Sequence, residues 1–170
     1  MNQPGTVIMG IDPGTLKTGY GIIEVCGNTY KTLDYGCIVP PPKEKLSQRY
    51  LIIFEALSEL LQKYQPNALS VETQYVDKNV QSALKLGQAR GMAILAATQR
   101  GVAIYEYAPT KAKKAVVGKG QASKEQVQAM VQMLLQLKVL PQPHDAADAL
   151  ALALCHAHHL KFNILIGEEI

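Results

Sequence analysis

The sequence predicts an α/β fold: a mixed five-stranded sheet, three antiparallel strands followed by two α/β crossovers, flanked by helices. Three observations carry that prediction. Val7, Ile8, Met9 and Ile11 form a short, mostly β-branched apolar run closed by Pro13-Gly14, the pattern of a strand buried on both faces. The two segments that follow, 19–26 and 29–38, are rich in Tyr, Ile, Val and Thr and are separated by Gly27-Asn28, a two-residue hairpin signal. From residue 43 onward helical and strand patterns alternate, the order that builds crossovers beside a strand pair.

Taken in order, Pro40-Pro41-Pro42 stops the opening meander. Residues 43–64 then carry apolar side chains at 46, 50, 53, 54, 57, 60, 61 and 64, an amphipathic helix that Pro66 ends. Residues 68–73 read as a fourth strand, and a second helix is expected over 79–100. Along it Ala83, Gly87 and Gly91 recur every four residues as a smooth ridge. Glycine costs about 1 kcal/mol in a helix interior, so close packing against a neighbour is expected to offset it. Residues 102–107 make the fifth strand. The basic, glycine-punctuated segment 109–120 reads as a short helix followed by a loop. Ser123 and Gln126 form a capping box opening a helix with Val127, Met130, Val131, Leu134 and Leu135 on one side. After the rigid Pro141-Gln-Pro143, a last helix starts near His144 or Asp145 and runs through Ala-rich sequence to about Leu160. Residues 1–160 are thus expected to form a single domain, with 161–170 a tail of unassigned role.

Composition narrows the class. With 170 residues, 48% of them hydrophobic, the chain can bury a proper core. No apolar run approaches the roughly 20 residues of a membrane span, and no signal peptide is visible. Cys26, Cys37 and Cys155 form no CxxC pair and are expected to be reduced thiols in a cytoplasmic protein. The net charge is only +3, yet Lys78 to Lys124 holds nine Lys or Arg against the single acid Glu106. Lys111, Lys113, Lys114, Lys119 and Lys124 lie together in an acid-free stretch, either a surface for a polyanion or a solvated face.

Four acids are the candidate chemistry. Asp12 and Glu72 each end a hydrophobic strand, where a buried charge needs compensation. Asp-Pro-Gly is also ordinary turn chemistry, so Asp12 alone decides nothing. Asp145 and Asp148, three apart at a helix start, project from one side and could merely complement the helix dipole. All four together suit a divalent cation of the Mg²⁺ type. Two such ions can activate a water and stabilise the leaving oxygen of a phosphodiester. His156, His158 and His159 are expected at the surface or as complements to the helix dipole, and His144 either supports the metal site or simply lies in the preceding loop.

The chain resembles the RuvC family of Holliday-junction resolvases over nearly its whole length. The resemblance rests on Gly10-Ile-Asp12-Pro-Gly-Thr15-x-x-Thr18-Gly-Tyr-Gly21, on Glu72 with Tyr75, and on Ser82-Ala-Leu-Lys-Leu-Gly-Gln-Ala-Arg-Gly91. Val116-Val117-Gly118 and Asp145-Ala-Ala-Asp148-Ala-Leu-Ala complete the set. It implies an RNase H-like fold, a homodimer, dependence on Mg²⁺ (two ions per site, with Mn²⁺ able to stand in), and symmetric nicking of two strands of a four-way DNA junction. It also implies Asp12, Glu72, Asp145 and Asp148 as metal-binding, catalytic acids. Lys113 and Lys124 fall beside the scissile phosphate, and Tyr75 becomes the aromatic that stacks on an unpaired base. The helix over 79–100 falls where the family dimerises, and the family works beside a branch-migration motor. Lys111, Lys114 and Lys119 join the DNA-binding candidates. Two alternatives stand beside this reading: a related RNase H-like nuclease acting on RNA, and a non-enzymatic junction-binding protein.

Overall fold

A computed structural model describes residues 5–73, 79–162 and 168–170. The elements are β1 (Thr6–Asp12), β2 (Thr18–Cys26), β3 (Thr29–Ile38), α1 (Leu46–Tyr64), β4 (Ala68–Glu72), α2 (Val80–Thr98), β5 (Ala103–Tyr107), α3 (Pro109–Val117), α4 (Lys124–Leu134), α5 (His144–Phe162) and β6 (Glu168–Glu169). The sheet order is β3-β2-β1-β4-β5-β6. β1, β4 and β5 run parallel, while β2 and β3 form the antiparallel meander. The five expected strands are all present. A sixth, of two residues, is added by the tail, which pairs antiparallel with the edge of β5.

Side-chain alternation sends each strand's residues to two different layers. On one face Met9, Ile11, Ile22, Leu69, Val71 and Ile104 meet Ile53, Leu57 and Leu61 of α1 and Ala93, Ala96 and Ala97 of α2. On the other face Ile8 and Ile23 meet Val127 and Val131 of α4 and Leu150, Ala153 and Leu154 of α5.

α5 is the central helix of that second layer. Between Ala146 and Ala157 every residue but Asp148 is buried. A glycine seat lets it lie so close. A methyl carbon on Gly10 would stand 1.9 Å from the carbonyl oxygen of Ala149, and one on Gly19 would stand 2.1 Å from that of Asp145. At Gly21 the same carbon would meet the Leu150 side chain at 2.7 Å. Gly10 and Gly21 are direct cross-strand partners, and Gly19 pairs with Asp12. The three glycines therefore form one bare patch, and the alanines of α5 fill it. Ser70 pins the helix to β4 by donating its hydroxyl to the Leu152 carbonyl at 2.9 Å.

Candidate active site

The site is built at the carboxyl ends of the parallel strands. The β1–β4 register runs to Ile11 against Val71, and Asp12 and Glu72 are the next residue on each. Both fall on the face that carries Gly10 and Ser70, the face covered by α5. Across the sheet, cross-strand pairing sets Cys37, Gly19, Asp12, Glu72 and Tyr107 in one row. The first turn of α5 passes over Gly19, which brings Asp145 and Asp148 to the two strand acids. α4 approaches through its capping box, with Ser123 accepting from the Gln126 amide, and Lys124 is its first residue. Buried Gln128 donates to the Pro141 carbonyl at 2.6 Å and so ties α4 to the turn that starts α5.

Asp12, Glu72 and Asp148 line a cavity of about 260 Å³ with Lys113 and Lys124, walled by Pro109, Ala112, Val127, Ala151 and Leu152. Its electrostatics are those of crowded anions. Burial first, then the charges of Glu72, Asp148 and Asp145, push the Asp12 carboxyl up to about 8. Burial likewise raises Glu72 and Asp148, with Lys124 and Lys113 opposing the rise at both. Cys37 is raised to about 11 by burial and then by Asp145 and Asp12, so its thiol stays protonated beside them.

Among the described residues no three Asp, Glu, His or Cys groups stand close enough to grip a metal ion without adjustment. The four acids interact through charge rather than at coordination distance. Their donor chemistry nevertheless fits a hard divalent cation: oxygen ligands only, partly shielded from water, each raising its neighbours' affinity for a positive charge.

The structure thus brings together Asp12, Glu72, Asp145 and Asp148, with Lys113 and Lys124 beside them. Lys111, Lys114 and Lys119 are exposed outside this cavity. Lys111 faces the other way, where its charge acts on Cys155 and His159. Tyr75 lies outside the described residues. The histidine expectation needs correcting. His156 is only 3% exposed; its Nδ1 and the Tyr107 hydroxyl share a hydrogen bond at 2.6 Å, and its ring stacks on Tyr105. Because α5 is buried nearly all round, it has no polar stripe on which a histidine could be sorted to the surface. The glycine seat also escaped the sequence reading, although all three glycines belong to its first motif.

Comparison with known proteins supplies a family. Residues 8–156 match the family model described as crossover junction endodeoxyribonuclease RuvC. A protein of that name from Protochlamydia amoebophila is 61% identical over 151 residues, covering 89% of this chain and 90% of the relative. A RuvC from T. thermophilus, solved in complex with Holliday junction substrate, superposes with a TM-score of 0.90 at 34% identity, covering 97% of this chain and 99% of that one. The yeast mitochondrial Holliday junction resolvase Ydc2, at 14% identity and a TM-score of 0.64, shares the fold.

Proposed function

Because the chain belongs to the RuvC family of crossover junction endodeoxyribonucleases, we propose that it resolves four-way DNA junctions by nicking two strands symmetrically, with Asp12, Glu72, Asp145 and Asp148 as ligands to divalent metal. One observation carries the reading: two acids at adjacent strand ends and two on the helix seated above them meet beside a cavity that also holds two lysines. The donor set favours Mg²⁺, two ions per site, with Mn²⁺ as a substitute. The chemistry such ions supply is polarisation of the scissile phosphate and activation of the attacking water. The chain's own residues do the rest. The four acids hold the positive charge at the end of the sheet, and the glycine seat fixes the approach of Asp145 and Asp148. Lys113 and Lys124 offset charge that develops on the phosphate. Lys111, Lys114 and Lys119 contribute longer-range attraction to the duplex arms. The place of Tyr75, three residues beyond Glu72, supports its stacking on an unpaired base there.

The outer face of α2 supports a homodimer. Val80 is 59% and Leu84 63% exposed, Gly87 is exposed, and a methyl carbon on Gly91 would touch nothing within 4 Å. Among the described residues nothing stands at that position of the ridge, which is expected to pack against a neighbour. Resemblance alone supports a branch-migration motor as a further partner. The three free cysteines, and the lack of any helix among the described residues long and apolar enough to cross a membrane, support the cytoplasm.

Asp12→Asn, Glu72→Gln, Asp145→Asn and Asp148→Asn should each abolish metal-dependent nicking of a synthetic four-way junction. Binding should be retained or tightened, since each change removes a negative charge near phosphate. Near-normal turnover of any one variant at limiting Mg²⁺ would remove that residue from the ligand set. Cleavage of RNA in preference to the junction would overturn the substrate assignment.

A further inference from the structure

The cations so far placed at the site, Lys113 and Lys124, line the cavity with Asp12, Glu72 and Asp148, and Asp145 is outside that lining. The side where Asp12 and Asp145 lie next to β2 and β3 is bordered by the turn between β1 and β2, residues 13–17. That turn is a built structure. Thr18, fully buried, donates its hydroxyl to the Gly14 carbonyl at 2.8 Å. A methyl carbon on Gly14 would stand 2.1 Å from the Lys17 carbonyl, so the turn closes tightly on itself. From α1, Arg49 reaches across and donates a guanidinium N–H to the Thr15 carbonyl. What this bracing leaves exposed is Leu16, at 61%, and Lys17.

Lys17 lies five residues after Asp12 and two before Gly19, the cross-strand partner of Asp12. Gly19 itself lies directly beneath the Asp145 carbonyl, and the Lys17 charge acts on the same Cys37 thiol that feels Asp145 and Asp12. A nucleic-acid strand crossing four carboxylates meets repulsion along its whole path. Lys113 and Lys124 relieve it inside the cavity, Lys124 at Asp12 as well as at Glu72 and Asp148. A lysine on a braced turn starts from a fixed backbone position, so less loop entropy remains to be lost on binding.

We propose that Lys17 is a backbone-phosphate contact for the strand to be cut, held on a turn braced by Arg49 and Thr18, outside the cavity that Lys113 and Lys124 line. The assignment rests on the junction-nuclease reading above. Arg49 is a positioning residue: it touches the turn, and the turn presents the lysine.

The test is binding of a fluorescent four-way junction in EDTA, by anisotropy, over a series of salt concentrations. Loss of one phosphate contact makes the slope of log K against log[salt] shallower by about 0.9, which at 0.1 M salt amounts to roughly an eightfold loss of affinity. Lys17→Ala should show both changes, and Lys17→Arg should show neither. Arg49→Met should lose a similar slope alone and nothing further in a Lys17→Ala background. An additive loss would mean that Arg49 does not act through this turn. Wild-type slope and affinity in Lys17→Ala overturn the proposal and leave the junction reading standing. A wild-type protein with no preference for the junction over a linear duplex would overturn that reading, and this one with it.

Discussion

Asp12 is the residue on which folding and chemistry pull in opposite directions. Its carboxyl titrates near 8 in the folded chain, against 3.8 when free of the fold. Between those values the folded state binds the extra proton, so without metal stability falls as pH rises through that window. His156 works with the other sign. Burial lowers it to about 4 from 6.5, so the unfolded chain binds the extra proton there and stability grows as pH rises to about 6.5. The two effects oppose each other below pH 6.5, and of this pair Asp12 alone acts from there to about 8. In EDTA the melting temperature should therefore drop between pH 6.5 and 8. Asp12→Asn should melt higher than wild type at pH 8 and lose most of that drop. Millimolar Mg²⁺ should restore wild type but not the variant. A flat wild-type profile over that range would mean that Asp12 is not held as a crowded, buried acid.

The elements were legible in the sequence to different depths. β1 and β4 were recognised because apolar runs ended by an acid are rare without a reason, and α4 because its capping box names its own first residue. α1 begins at Leu46 rather than residue 43, since Pro41 and Glu44 first close a turn through the Glu44 amide and the Pro41 carbonyl. α5 was located by composition, but its environment was hidden. A helix buried on every side has no amphipathic period, so neither its central place nor the burial of His156 could be read from spacing. The role of Gly10, Gly19 and Gly21 was hidden for another reason. A glycine in a strand signals only that something comes close, and not what. The docked helix supplies the answer, and with it a prediction. Gly10→Ala should cost several kcal/mol, because a methyl carbon 1.9 Å from a backbone oxygen forces α5 off the sheet. It should also weaken Mg²⁺ binding measured by calorimetry, although residue 10 carries no ligand. Glu55→Ala, on the exposed side of α1, serves as the comparison and should melt close to wild type. Similar melting temperatures for the two variants would remove the seat from the account of the site.

For the molecule as a whole, the two faces of the sheet divide the work. The face covered by α3, α4 and α5 carries the four acids with Lys113 and Lys124, while α1 and α2 cover the other face and leave Val80, Leu84 and Leu95 exposed. If that face joins two copies, Leu84→Glu should give a monomer in sedimentation. Paired nicks in one junction should then become single, unlinked nicks. A Leu84→Glu protein that still sediments as a dimer would move the contact elsewhere. The glycine seat has one more consequence, for how this protein tolerates change. The groove that admits α5 belongs at once to the hydrophobic interior and to the catalytic apparatus, so a substitution there cannot be silent in one and felt in the other. A random mutagenesis screen for lost nicking should return enlarged residues at positions 10, 19, 21, 149 and 153 beside the four acids. Stabilising substitutions that spare activity should concentrate on the exposed side of α1 away from Arg49 and on the hairpin at Gly27, where the chain touches neither the seat nor the site.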